Sequence, residues 1–172
     1  MRWQQIGELE CSVARSLSVV GDRWTLLIVR DAFLGARRFE HWQASLGLSP
    51  ALLTDRLSKL QQHGILERRV YQQRPIRHEY RLTEKGVDLY PVVVSLLGWG
   101  DRWMAGDQPP PLELVHRRCG APTTPTLTCS ECGEPLDPRE MRPAPRSPEV
   151  AALMQSVREA SSPRASEAPD RE

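Results

Sequence analysis

The residues of this chain best suited to chemistry lie between His116 and Gly133, where three of the four cysteines fall in the stretch HRRCGAPTTPTLTCSECG. His116 and Cys119 form one pair separated by two residues, Cys129 and Cys132 form a second, and a glycine follows each pair at once (Gly120, Gly133). In a turn of this spacing both side chains can reach one ion, at about 2.3 Å for a zinc–thiolate bond. Turn N–H groups hydrogen-bond the sulfurs, and the glycine takes the positive φ. Together His116, Cys119, Cys129 and Cys132 make a Cys3His set. Such a set closes a tetrahedral shell around zinc and leaves no position for water or substrate, so a structural zinc is expected rather than a catalytic one. The competing reading of the same residues is a pair of disulfides or free thiols in a loose tail.

Compartment bears on that choice. No apolar run approaches the roughly eighteen residues of a membrane span, and MRWQQIGELE lacks the apolar core of a secretory signal. The chain is therefore expected to be cytoplasmic, with no membrane partner, and reduced clustered thiols then read as metal ligands.

Charge is unevenly distributed. The net charge is +1, but residues 1–104 carry 15 Lys and Arg against 11 Asp and Glu, whereas residues 105–172 carry 8 against 11. Between Arg56 and Arg81 seven basic residues face only Glu67 and Glu79, which points to a polyanionic partner.

The elements that must carry this patch read as mainly α with a small β-ribbon. VARSLSVVG places Val13, Leu17 and Val20 on one stripe. DRWTLLIVRDAFLG has Asp22 as cap and Gly35 as stop, and RRFEHWQASLG is built on Phe39, Trp42 and Leu46. In LSPALLTDRLSKLQQHG, Ser49 caps, Pro50 takes the first helical position, and Leu53, Leu57 and Leu60 form the inward stripe. ILERRVYQQ and RHEYRLT then read as two strands joined at Pro75. Thr83 is expected to cap one long helix through Met104, bent at Pro91 and Gly98, with Leu89, Val93, Leu96, Leu97 and Trp103 on its stripe. Helices followed by a ribbon with a basic tip make a winged helix-turn-helix.

The expected organisation is a DNA-binding and dimerisation domain over 1–105, a GDQPPP linker at 106–112, a zinc-ribbon-like appendage over 113–137 and a disordered tail over 138–172. The tail is rich in Pro, Ser and charge, although residues 149–160 could form a short amphipathic helix. No internal repeat is read along the chain.

With the leucines inward, the helix opening at Ser49 turns Ala51, Thr54, Asp55, Ser58, Lys59 and Gln62 outward. These are small and polar groups able to approach base edges, and Lys59 suits phosphate. Arg56 lies nearer the core and suits a structural ion pair. At the ribbon tip Arg74 and Arg77 flank Pro75, placing two guanidinium groups where a minor groove or the phosphate backbone could be reached. The bland alternative is an ordinary solvated helix face.

In order and spacing, several segments resemble the HxlR family of bacterial winged-helix transcription regulators, relatives of the MarR group. They are Gly21-Asp22-Arg23-Trp24, Arg38-Phe39, Leu53 with Arg56-Leu57, Gly64, Arg69-Val70-Tyr71, and Tyr80 with Leu82-Thr83, within Cys11 to Trp103. The resemblance implies a homodimer, held by the first helix and the Thr83-to-Met104 helix, on an inverted-repeat operator of double-stranded DNA. The resemblance also admits Cys11 as a sensor of oxidants or electrophiles, since a cysteine holds this position in regulators of this type. Here Cys11-Ser12-Val13-Ala14 stands where many have Cys-Pro-Val-Ala. Physically, Cys11 precedes a helix whose dipole favours a thiolate, but a small buried hydrophobe is the alternative. A small-molecule effector is a further partner of this kind. No set of nucleophile, base and acid converges, so an enzyme is not expected. The other function open to this pattern is a zinc-stabilised protein-interaction module on a winged-helix scaffold.

Overall fold

Helices follow one another through the first half of the chain because each apolar stripe ends at a turn signal. The computed structural model describes residues 3–161. Two units are distinguished, Met1–Thr126 and Leu127–Glu172, so the hairpin carrying His116 and Cys119 belongs with the winged-helix unit rather than with the segment after it.

A 3-10 segment (Trp3–Glu8) leads into α1 (Ser12–Val20), followed by α2 (Thr25–Phe33), α3 (Phe39–Leu46) and α4 (Pro50–Gln62). The expected capping of α4 holds: Pro50 opens the helix and the Ser49 hydroxyl accepts the Leu52 N–H at 3.4 Å. Strands β1 (Leu66–Gln73) and β2 (Ile76–Leu82) pair antiparallel, from Leu66 opposite Leu82 to Gln73 opposite Ile76. The register shifts between Val70 and Gln72, leaving Tyr71 as the extra residue of a bulge.

The core gathers Ile28, Val29 and Ala32 of α2, Trp42 of α3, Leu53, Leu57 and Leu60 of α4, and Ile65 and Leu66 at the entry to β1. Trp42 is completely buried, and its indole N–H donates to the Ile28 carbonyl at 3.0 Å. The Tyr80 ring meets Trp42 edge-on with centroids 5.9 Å apart, so the same side chain also seats the ribbon.

The single long helix expected after Thr83 is divided. Thr83 does cap, accepting the Gly86 N–H at 3.1 Å, but α5 covers only Glu84–Val87 and α6 runs from Tyr90 to Trp103. Pro91 is the reason. Its ring and missing N–H exclude it from a helix interior, whereas the first turn of a new helix needs no such donor, so the chain breaks at Asp88 and Leu89. Gly98 and Gly100 stay inside α6. The expected stripe is also divided: Val93 and Leu89 pack on the core and Val94 is buried, while Leu96 and Trp103 are exposed.

In the second unit, the segment expected to be disordered contains α7 (Pro148–Ser161), which takes in the amphipathic stretch 149–160. The Ser147 hydroxyl accepts the Val150 N–H at 3.3 Å at its start.

Replacing Trp42 with Ala removes a fully buried side chain and its hydrogen bond to the Ile28 carbonyl. A loss of about 3–5 kcal/mol in urea unfolding is expected, on the scale of buried aromatic truncations.

Candidate nucleic-acid interface

With Leu53, Leu57 and Leu60 buried, α4 turns Ala51, Thr54, Asp55, Lys59 and Gln62 to solvent and leaves Ser58 half-buried. Lys59 pairs with Asp55 at 2.9 Å, one turn back, so its ammonium is partly neutralised on this face. The Gln62 amide donates to the Ser58 hydroxyl at 3.5 Å. Ser49, at the head of the helix, is exposed.

Arg56 takes the structural role expected of it. Its Nε lies 3.4 Å from the Asp22 carboxylate as a charge pair without hydrogen-bond geometry, and its Nη1 lies 3.5 Å from Asp55. The N-cap position of α2 is Trp24 rather than the expected Asp22, which lies two residues earlier and accepts the N–H groups of Trp24 (2.9 Å) and Thr25 (3.2 Å) and the Thr25 hydroxyl. Burial alone would raise the Asp22 pKa. The Thr25 hydroxyl, the Trp24 N–H, the Arg56 charge and the Thr25 N–H outweigh it and hold the carboxyl below its ordinary value. Asp22 thus ties the start of α2 to the flank of α4, a link sequence spacing did not reveal because the partners are remote along the chain.

The ribbon carries the other half of the surface. Arg74 and Arg77 are exposed at the tip, as is Ile76 at the start of β2. Arg68 donates to His78 Nδ1 across the strands at 2.8 Å, and Arg69 pairs with Glu67. Both arginines are exposed, so neither is buried for folding. Two contributors escaped the sequence reading. The Arg38 guanidinium stacks over the Tyr71 ring at 4.4 Å, and the Tyr80 N–H donates to the Arg37 carbonyl at 2.7 Å, fixing the ribbon beside the start of α3. The Arg38-Phe39 and Tyr71 positions carried a signal, but their contact joins residues remote along the chain.

Cys11 stands at the N-cap of α1, half-buried, making no side-chain capping hydrogen bond. The expected metal ligands lie in two hairpins of one design. In the first, Val115 bridges Pro122, the His116 N–H donates to the Ala121 carbonyl (2.9 Å), and the Gly120 N–H donates to the His116 carbonyl (2.8 Å). In the second, Thr128 bridges Pro135, the Cys129 N–H donates to Glu134 (2.8 Å), and the Gly133 N–H donates to Cys129 (2.9 Å). Gly120 and Gly133 take φ of +71° and +78°, where a side chain is strained. Leu-Val-His-Arg-Arg-Cys-Gly-Ala-Pro and Leu-Thr-Cys-Ser-Glu-Cys-Gly-Glu-Pro therefore form an internal repeat, contrary to the expectation of none.

Within the first hairpin His116 Nδ1 lies 3.3 Å from Cys119 Sγ. Within the second, the N–H groups of Cys132 and Glu131 and the Cys132 thiol hydrogen-bond Cys129 and hold its thiol below the usual range against a small opposing effect of burial. Each hairpin thus presents a pair of donors. Among the described residues no group of three or more His, Cys, Asp or Glu comes together.

The HxlR-like helix-turn-helix family model matches residues 19–108. The chain belongs to the HxlR family. It is 45% identical over 134 residues to the uncharacterized HTH-type transcriptional regulator Rv3095 of Mycobacterium tuberculosis, covering 78% of this chain and 85% of that protein. A match of that length extends beyond the family segment and into the hairpin region. The crystal structure of PA1607, a candidate transcription factor, aligns with a TM-score of 0.73 at 37% identity over 82% of this chain and 98% of its own. The oxidized form of the redox regulator HypR aligns with a TM-score of 0.50 at 33% identity over 54% and 96%. The HxlR chain is thus a transcription regulator with a winged-helix-like arrangement. Its homologues and its fold are those of regulators and not of enzymes. No described helix is long and apolar enough to cross a membrane.

Asp22 contributes stability when ionised. Its folded pKa lies below the ordinary 3.8, so the contribution is complete above that value and is lost as pH falls through the folded one. Asp22→Ala is expected to cost about 1 kcal/mol in urea unfolding at neutral pH, as for a lost helix cap, and the difference from wild type should shrink on acidification below 3.8.

Proposed function

We propose that this HxlR regulator binds double-stranded DNA as a homodimer on an inverted-repeat operator, with α4 in the major groove and the ribbon tip on the minor groove or the backbone. The observation that carries the reading is the joint exposure of the polar face of α4 (Ala51, Thr54, Asp55, Lys59, Gln62) and the two tip arginines, Arg74 and Arg77, on elements locked to one core through Trp42 and Tyr80. Ser49 and Ser58 flank that face. Cations at the tip suit phosphate or a narrow groove, and small polar groups on the helix suit base edges.

Apolar surface supports the homodimer. Val92, Leu96, Trp99 and Trp103 recur along one face of α6, with the two tryptophans 57% and 62% exposed, opposite the face that packs on the core. On α1, Val13 is 67% exposed, and Leu17 lies one turn on. A contiguous apolar face of this kind is costly in water and suits a second copy.

The donor chemistry of the hairpins supports structural zinc as the cofactor. His116 and Cys119 from one repeat with Cys129 and Cys132 from the other make up a Cys3His set, and N–H groups already turned to the Cys129 sulfur stabilise the thiolate a metal requires. Zinc held by these four would offer no reactive coordination position.

Electrophoretic shifts on DNA from the protein's own promoter region test the regulator reading. Arg74→Ala and Arg77→Ala should each weaken binding at every sequence and reduce the slope of log affinity against log salt by about 1, while Trp99→Asp should give a monomer in analytical ultracentrifugation and lose tight operator binding. Equal affinity for all DNA would sink sequence-specific regulation. For the metal, elemental analysis is expected to find one zinc per chain in the wild type and none after Cys129→Ser; a full equivalent in the variant would remove the assignment.

A further inference from the structure

The two faces of the ribbon answer their charges differently. Glu67 stands opposite Arg81 and Arg69 opposite Glu79, whereas Arg68 stands opposite Tyr80 and Val70 opposite His78. Side chains alternate along a strand, so these two sets occupy opposite faces. On the first, Arg69 pairs with Glu67 and Arg81 with Glu79 at 2.7 Å, and each guanidinium has a carboxylate. On the second, the face on which Tyr80 meets Trp42 of α3, Arg68 is bonded to His78 Nδ1 at 2.8 Å. An arginine only donates, so Nδ1 accepts and the neutral imidazole keeps its proton on Nε2. Beside them the Arg38 guanidinium lies over the Tyr71 ring at 4.4 Å. Among the described residues no carboxylate pairs with Arg38, Arg68 or Arg77.

An open recess of about 290 Å³ lies between the start of α3 and this face, and its walls include Phe39, Glu40, Arg68, Tyr71, Arg77 and His78. Two guanidinium groups thus meet one carboxylate, that of the exposed Glu40. We propose that the recess seats a phosphate group of the DNA backbone, bonded by Arg68 and by the Nε2–H of His78, with Arg77 as its outer cation. The proposal rests on the reading of the chain as a DNA-binding protein and adds a contact on the flank of the ribbon, apart from α4 and the tip.

The partners select such an anion. A guanidinium beside a carboxylate is already neutralised, whereas one held by a neutral imidazole keeps its whole charge for an outside group. His78 occupies one of the five N–H donors of Arg68 and leaves the others, and fixing the side chain lowers the ordering cost of binding. Phosphate oxygens accept such donors in pairs. A recess open to solvent suits a group carried on a continuous backbone, and contacts of that kind position a duplex without reading its sequence.

Electrophoretic shifts over a salt series, on DNA from the protein's own promoter region and on an unrelated duplex, test the site. Arg68→Gln is expected to weaken both complexes roughly tenfold at low salt and to lower the slope of log affinity against log salt by about 1. Arg68→Lys should restore the slope, because the charge returns, even where the lost His78 bond leaves affinity low. Glu40→Gln should tighten both complexes roughly threefold, a gain that a loosened ribbon cannot produce. Inorganic phosphate should displace DNA no better than chloride at equal ionic strength. An unchanged slope in Arg68→Gln overturns the proposal, as does a loss confined to the promoter DNA, which would mark a base contact, or weaker binding by Glu40→Gln. Preferential displacement by phosphate that disappears in Arg68→Gln would assign the recess to a free anion and also overturns it. Wild-type protein that binds neither duplex removes the DNA-binding reading itself and this contact with it, a result distinct from tight binding indifferent to Arg68.

Discussion

The hydrogen bond from the Trp42 indole to the Ile28 carbonyl, in a site closed to water, is the constraint on which the arrangement depends. An indole N–H buried without a partner would be expensive, and Ile28 lies inside α2, where its carbonyl can serve a second donor. The bond therefore sets where α3 lies on α2. Tyr80 meets the same ring edge-on, so the ribbon is placed by the residue that places α3. Leu53, Leu57 and Leu60 fill the rest of that core, which settles which face of α4 is left to solvent. The exposed polar face of α4 is thus a by-product of how one tryptophan is satisfied.

Around that centre the polar links work at the margins. Asp22 accepts N–H groups at the start of α2 and reaches Arg56 of α4, whereas Thr83, Lys85 and Gly86 grip the segment from His63 to Ile65. Both ends of α4 are therefore tied to other elements, while the polar contacts recorded on its outer face, Asp55–Lys59, Asp55–Arg56 and Gln62–Ser58, stay within the helix. That division leaves the helix fixed at its ends and its outer face polar and accessible.

The family match ends near the close of α6, but similarity to Rv3095 continues beyond it, so the hairpin segment is more than an accidental extension of this chain. Its two halves repeat a backbone design while differing in side chains, Arg117-Arg118 in one turn and Ser130-Glu131 in the other. What persists is the donor pair and the glycine after it. Those are the features a metal-binding turn requires, and the variable positions are ones it leaves open.

Much of this was legible in the sequence by itself. Apolar spacing, caps and stops determined α1 to α4 and the ribbon, because helix and strand periods are local properties. Ser49-Pro50 and Thr83 are signals that act within one turn. The two ligand pairs with their following glycines were equally present in the sequence, whereas the shared hairpin backbone that makes them a repeat, with its flanking Leu and Pro, became plain only in the fold. Other features lay beyond any local pattern. Whether Leu96 and Trp103 of α6 face the core or the solvent is decided by how α6, begun anew after the break at Asp88 and Leu89, packs on the core. The Arg56–Asp22 pair, the Arg38–Tyr71 stack and the recess between α3 and the ribbon join residues distant along the chain. Only tertiary structure decided them, because through-space contact between charges and rings is set by packing and not by the spacing that forms a helix.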